Sequence, residues 1–210
     1  MVTFEKIGMI ITAVLTLITM YGGLIVPAAS NPIGERNTKQ TLTQVKSVPD
    51  STSRKEMVDM LEHYIKSYQE KTVSRTKLLK YVKWVDQYIE GSNMDSVWIM
   101  AMMWQESRLI EDSTSSHGAI GLLQILPSTA KSFGVSGSDL YKPEVNIKTS
   151  IEYMKYLLEK YDGDLRIATI AYNQGEGNVD KDKARPWYYN QVKKHHNNML
   201  QILKKINKER

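Results

Sequence analysis

The chain has 210 residues, 41% of them hydrophobic, which suits one domain of ordinary size with appendages. It has no cysteine, so a disulfide framework and a thiolate metal site are excluded, and the redox compartment is left unmarked. The formal net charge of +5 is unevenly placed: residues 181–210 carry nine Lys/Arg against two Asp/Glu, so the basic character belongs to the tail and the body is slightly acidic.

Residues 7–29, "IGMIITAVLTLITMYGGLIVPAA", are 23 in a row without a charge. A membrane-spanning helix needs about 20 apolar residues, whereas a signal-peptide core has about 7–15. Residues 1–30 therefore read first as an N-terminal membrane-spanning helix and second as a cleaved signal, with small residues at Val26/Ala28 and Ala28/Ser30. Either way the rest of the chain is sent to a membrane. It is then a single-pass protein of the cell membrane with an extracytoplasmic domain, or a secreted one if residues 1–28 are removed. Lys6 before the run, and Arg36, Lys39 and Lys46 after it, mildly oppose an outside C-terminus. The cue is weak, because long domains translocate largely regardless of flanking charge.

Residues 31–53 are polar, interrupted by Pro32, Gly34 and Pro49, and read as a flexible linker. Met57, Met60, Leu61, Tyr64, Ile65 and Tyr68 fall at helical spacing, so residues 54–76 form an N-terminal helical extension. Residues 77–207 are then the main domain. Leu78, Leu79, Val82, Val85 and Ile89 predict a helix ending near Gly91, and Asp95 or Ser96 caps the next. That third helix is continuously apolar, "VWIMAMMW", which makes it central. The Ser- and Gly-rich run "DSTSSHGAIG" reads as loop or short irregular hairpin. Pro127 and Gly134 bracket a short helix. Further helices are expected from about Asn146 to Tyr161, from Asp164 to Tyr172 up to an "NQGEGN" turn, and from Trp187 to about Ile206. The fold class is mainly α, with at most a small β element near residues 114–126.

Glu106 shares a helix face with Met102 and Met103 at the end of the apolar helix. A carboxyl group in such surroundings loses hydration when ionised, so its pKa rises. An acid still protonated near neutral pH can donate to a leaving oxygen, the general-acid role in glycosidic cleavage. The bland alternative is a helix-end Glu emerging into solvent.

The stretch "QESRLIEDSTSSHGAIGLLQILPSTAKSFGV" resembles the core of the lytic transglycosylases of the soluble-lytic-transglycosylase type, the goose-lysozyme-like branch of the lysozyme superfamily. Glu106-Ser107 stands at the family's Glu-Ser pair and Ser115 at its loop serine. Gly118, Gly121, Leu122 and Gln124 resemble its Gly-x-x-Gly-Leu-Met-Gln run, with Leu123 in place of Met; Pro127, Thr129 and Ala130 follow. "DLYKPEVNIKTSIEYMKYLLEKYDGDL" resembles the family's scaffold helix, "IAYNQGEGNV" its Ala-Tyr-Asn motif, and "RPWYYNQV" its last tyrosine motif, with Tyr189 competing with Tyr188. The resemblance covers about Lys77 to Val192. His117, and Gln174 and Glu176 in the glycine turn, depart from the pattern.

The resemblance implies a lysozyme-like fold, α+β with a minimal β element. It also implies cleavage of the β-1,4 bond between N-acetylmuramic acid and N-acetylglucosamine, with a 1,6-anhydromuramoyl product. Glu106 is then the catalytic acid and base. Ser107, Ser115, Gln124, Tyr172, Asn173 and Tyr188 are the candidate substrate-binding residues. Each has a duller reading: packing or a loop bond for Gln124, core for Tyr172, a solvated hydroxyl for Ser115, a helix-face aromatic for Tyr188. No cofactor, no metal and no nucleic-acid partner is implied. The expected partners are peptidoglycan glycan strands, the cytoplasmic membrane through the N-terminal segment, and anionic wall polymers through the basic tail. His117, His195 and His196 read as surface residues rather than ligands. Two rivals remain: a goose-type hydrolase, for which Glu111 or Asp112 would be the second carboxylate, and a noncatalytic wall-binding or assembly protein.

Overall fold

The computed structural model describes residues 52–68 and 72–209. The expected membrane-spanning helix and nearly all of the linker lie outside them. Among the described residues no helix is long and apolar enough to cross a membrane.

The chain is mainly α, as its periodicity indicates. Helix α1 (Arg54–Lys66) opens with a capping box. The Ser53 hydroxyl accepts from the Glu56 amide at 3.3 Å, and the Glu56 carboxylate accepts from the Ser53 amide at 2.8 Å. Helix α2 (Arg75–Ile89) is capped by Ser74, and α3 (Ser96–Ser107) by Asp95, whose carboxylate accepts from the Val97 amide at 2.8 Å. After a loop come α4 (Pro127–Ser132), a 3-10 turn (Gly137–Tyr141) and α5 (Pro143–Lys160). Helix α5 begins three residues earlier than its apolar pattern suggests, because Pro143 occupies the first helical position, where a missing N–H costs nothing. Helices α6 (Leu165–Gln174), α7 (Glu176–Val179) and α8 (Trp187–Lys208) complete the chain.

Helix α3 organises the rest. From Val97 to Trp104 every residue is at most 1% exposed, so the helix is apolar on all sides and must be surrounded. Helices α2 and α8 pack directly on it, α1 packs on α2 and α8, and α5 and α6 extend the layer. The residues of α1 belong to this same core: Met57, Val58, Met60, Leu61, Tyr64 and Ile65 join a cluster that runs to Leu203 in α8.

The loop between α3 and α4 contains the small β element: antiparallel bridges pair Thr114 with Ile120 and Ile120 with Ile125. Asn146 of α5, fully buried, holds it. The Asn146 carbonyl accepts from the Leu123 amide at 2.9 Å, while its amide donates to Ile120 O at 2.8 Å and Leu140 O at 3.1 Å. Gly121 sits so close that a Cβ there would lie 2.4 Å from the Asn146 amide nitrogen, and its φ is +80°. Its glycine is needed for this approach to α5.

His195 and His196, expected at the surface, are buried, at 5% and 1% exposure. They fall on the inward stripe of α8 with Val192, Met199 and Leu200, and each has a polar partner that makes burial tolerable. The Asp95 carboxylate can only accept, so Nε2 of His196 donates to it, at 2.7 Å. His195 lies between Tyr64 and Gln105. His117 is exposed.

Asn146→Leu fills similar space but strips the Leu123 amide and the Leu140 carbonyl of this partner, while Ile120 O keeps the Ile125 amide at 3.2 Å. At about 1–3 kcal/mol for each buried polar group left unsatisfied, the variant should lose about 2 kcal/mol or more in urea unfolding. A loss under 1 kcal/mol would show that the loop does not depend on this side chain.

Candidate active site

Helix α3 stops at Ser107 because Arg108 and Leu109 take left-handed backbone conformations, with φ of 54° and 63°. Such angles are uncommon for residues with a side chain, and here packing holds them. The Arg108 amide donates to Trp104 O at 3.2 Å and its guanidinium to the same oxygen at 2.6 Å. The guanidinium also stands 5.0 Å over the Trp104 ring. Leu109 turns back into the core at 4% exposure.

This sharp exit leaves Glu106 on the last helical turn, partly open to solvent, between the buried Trp104 and Ser107. Burial pushes its carboxyl up to about 7, against the opposing pull of the Tyr188 hydroxyl. The negative end of the α3 dipole works in the same direction as burial. Tyr172 and Tyr188 are themselves held far above the ordinary phenol range, by burial first and by the Glu106 charge second. Both phenols are therefore protonated around neutral pH.

Tyr188, at the start of α8, is 1% exposed, and its hydroxyl makes no hydrogen bond of ordinary geometry to the protein. It nevertheless lies within electrostatic reach of the Glu106 carboxyl. Its competitor Tyr189 faces elsewhere, packing 5.6 Å from the Trp98 ring with Lys193 above it. Tyr172 of α6 donates to Leu123 O at 2.8 Å. Glu106, Tyr172 and Tyr188 are thus brought together from α3, α6 and α8.

The other candidates divide. Ser107 is 5% exposed and spends its hydrogen inward, on Leu122 O at 2.8 Å with Met103 O at 3.3 Å; it fastens the loop to the helix. Gln124, with φ of 47°, uses both amide hydrogens on Ser113 O at 3.1 Å and Gly121 O at 3.0 Å, leaving its carbonyl oxygen for a ligand. The Ser115 hydroxyl accepts from the amides of Ala119 at 3.0 Å and His117 at 3.3 Å, so its own hydrogen stays available. Asn173 is exposed beside Tyr172 on the last turn of α6. Glu111 is committed elsewhere. Its carboxylate takes the Lys77 ammonium and the Tyr81 hydroxyl, the latter at 2.7 Å. Partial burial pushes it up, but these two partners together hold it below the usual carboxylate range. Asp112 is exposed.

Asn146, Gln105 and His195 were not among the sequence-derived site residues. The histidine had a signal: it falls three residues after Val192 and four before Met199, on the buried stripe of α8.

The arrangement defines a helical domain that presents one shielded carboxyl group at the end of a helix buried from Val97 to Trp104. The model of the transglycosylase SLT domain matches residues 83–197, more than half of the chain, and the chain belongs to that family. Peptidoglycan transglycosylase gp16 of Escherichia phage T7 is 36% identical over 81 residues, covering 36% of this chain and 6% of that protein. The soluble lytic murein transglycosylase of Escherichia coli K12 is 32% identical over 109 residues, covering 48% of this chain and 17% of that one. The chain thus matches only a small part of the length of either relative. A solved structure of lytic transglycosylase Slt from Pseudomonas aeruginosa is 26% identical, covers 60% of this chain and 24% of that chain, and superposes with a TM-score of 0.47. At that level the assignment rests on the family model and not on the superposition.

The raised pKa has a consequence for stability. Glu106 binds its proton more tightly in the folded chain than at the ordinary value of 4.5. Its contribution is fully present below about pH 4.5 and is lost as pH rises through about 7. Glu106→Gln removes that loss. The variant should match the parent at pH 4 and exceed it at pH 8 by about 1–3 kcal/mol in urea unfolding. Equal stability at pH 8 would show that the carboxyl is not shifted.

Proposed function

We propose that the chain is a peptidoglycan lytic transglycosylase of lysozyme-like architecture. It cleaves the β-1,4 bond between N-acetylmuramic acid and N-acetylglucosamine. The observation that carries this reading is Glu106: a single carboxyl at the end of a buried helix, at the family's Glu-Ser position, with a pKa near 7.

Protonated Glu106 gives its proton to the glycosidic oxygen as the bond to the anomeric carbon breaks, and N-acetylglucosamine leaves with a free 4-hydroxyl. The resulting carboxylate takes the proton of the muramoyl 6-hydroxyl, whose oxygen bonds to the anomeric carbon. One C–O bond breaks, one forms, and no water is consumed. A pKa near the working pH suits a group that must first give and then accept a proton. Tyr188 supports the carboxylate stage, since a protonated phenol favours the charged form. Ser115 donates to a sugar oxygen, Gln124 accepts through its carbonyl, and Asn173 and Tyr172 flank the sugar on the α6 side. Ser107 serves the site through the loop it fastens.

A hydrolase of the goose type would use a positioned water and commonly a second carboxylate. Commitment of Glu111 to Lys77 and Tyr81 disfavours it for that role. A noncatalytic wall binder has no use for a carboxyl held protonated among apolar groups.

The uncharged run 7–29, outside the described residues, supports the reading that the domain lies beyond the cytoplasmic membrane. Lys204, Lys205 and Lys208, on the exposed face of α8, offer a screened attraction to anionic wall polymers. The apolar face of α8 is already used in the core, so the basic face is the one turned to solvent.

General acid–base catalysis contributes about 10²–10⁴-fold, so Glu106→Gln should lose at least that much activity against purified peptidoglycan while remaining folded. Mass analysis should find a product lighter by one water than the hydrolysed one, without a reducing muramoyl end. Reducing-end products would mean hydrolysis, and a fully active folded variant would remove Glu106 from the mechanism. For the location, protease added to wall-stripped cells should remove the domain. Protection equal to that of a cytoplasmic control would place it inside.

A further inference from the structure

The back of the catalytic turn is built as carefully as its front. Gln105 immediately precedes Glu106, and its carbonyl oxygen accepts from Nε2 of His195 at 2.9 Å. Nδ1 of the same imidazole then lacks a hydrogen and accepts from the Tyr64 hydroxyl at 2.6 Å. The three groups form one directional chain from α1 through α8 to the last turn of α3. The rings around it are fitted edge to face. Tyr64 stands 5.4 Å from Trp104 at 83° and 6.2 Å from His195 at 89°. Tyr68 packs 5.7 Å from Trp104.

We infer that the Tyr64–His195–Gln105 chain is a positioning device for Glu106, and that α1, which lies outside the matched family span, is a functional part of the catalytic domain. This rests on the reading of Glu106 as the acid. Apolar packing does most to hold the helix carrying Glu106, with side-chain bonds from Ser96 to Asp86, Trp98 to Thr169 and Ser107 to Leu122 O beside it, and it is the directional bonds that set rotation about the helix axis. A hydrogen bond from a buried imidazole to the adjacent residue fixes rotation, because turning the helix end would strand both partners. The neighbouring His196 does the same at the opposite end of the helix, on the Asp95 cap. Two successive residues of α8 therefore clamp both ends of α3.

The clamp keeps one proton arrangement across the working range. Burial, together with the Arg108 guanidinium beyond the end of α3 and the Lys194 ammonium on α8, holds His195 down to about 4. Tyr64 and Tyr68 of the α1 segment are the other titratable groups facing it, and burial keeps Tyr64 far above its ordinary value. The imidazole is therefore neutral above about pH 5, with its hydrogen on the side of Gln105.

Tyr64→Phe removes one oxygen, and Gln105→Met replaces a polar side chain by an apolar one of similar shape. Misplacing a reacting group by about 1 Å costs up to about a hundredfold, so each variant should lose about tenfold or more in kcat per folded molecule, with KM within twofold. The alkaline limb of the kcat profile should move to lower pH as the Glu106 carboxyl gains hydration. The double variant should be no worse than the poorer single one, because both act through His195. A lowered Tm with unchanged kcat and unchanged pH limb would overturn the inference, leaving the chain a structural tie. Glu106→Gln in the same assay separates the two readings. If it stays active, the acid assignment falls and the positioning device with it. If it is inactive while both back-side variants are unaffected, only the positioning device falls.

Discussion

A helix that is apolar on every side can exist in water only if other elements enclose it, and the whole domain follows from enclosing α3. Each large side chain from Val97 to Trp104 contributes about 1.5–3 kcal/mol on burial, so the helix as a whole gains far more than the few kcal/mol that one shifted carboxyl costs. That difference is why Glu106 can be kept where its charge is unfavourable without endangering the fold. The same enclosure that makes the helix stable makes its last turn a place where a proton is retained to about pH 7.

The loop facing the acid is held by an unrelated device. Loops are ordinarily the least restrained part of a domain, yet residues 120–123 are gripped through their backbone from three helices. Ser107 of α3 bonds Leu122 O, Asn146 of α5 bonds the Leu123 amide and Ile120 O, and Tyr172 of α6 bonds Leu123 O. With the backbone held from outside, Leu122 and Leu123 turn their side chains into the main core. Gln124 follows in a left-handed conformation that its two bonds to loop carbonyls support. Gln124 thus follows a segment fixed at several points.

Much of this was legible in the sequence where the signal was local. Helical periodicity located the longer helices, Asp95, Pro127 and Asp164 marked three of their starts, and the unbroken apolar run before Glu106 announced both the central helix and its misplaced acid. What escaped was set by partners far apart in the chain. Gln174 and Glu176, in the turn after α6, each have a distant partner. The Gln174 carbonyl accepts from the Arg185 amide at 2.9 Å, and the Glu176 carboxylate takes the Tyr156 hydroxyl at 2.9 Å and the Lys160 ammonium at 2.5 Å. These ties staple the connection that delivers Tyr188 to the acid. Likewise nothing adjacent to His195 in the chain names Tyr64 or Gln105, which lie 131 and 90 positions away. The stripe on α8 could show that the imidazole is buried, but not what it holds.

Burial and direction are separate requirements at such a site, and different interactions meet them. Hydrophobic enclosure raises the proton affinity of Glu106 but is indifferent to where the carboxyl points, since it scales with area and has no preferred angle. Hydrogen bonds add little net stability, typically about 0.5–1.5 kcal/mol each, but they are angular, and the cost of leaving a buried partner unmade enforces the angle. The polar groups around α3 are placed accordingly. Tyr188 of α8 stands within electrostatic reach of the carboxyl, the His195 chain holds the residue before it, and the Asp95–His196 pair fixes the far end of the helix. An apolar helix with these polar groups removed would still be buried, and would still raise the pKa of its last glutamate. It would not hold that glutamate in one orientation, and a proton donor without a fixed orientation loses most of the advantage its pKa confers.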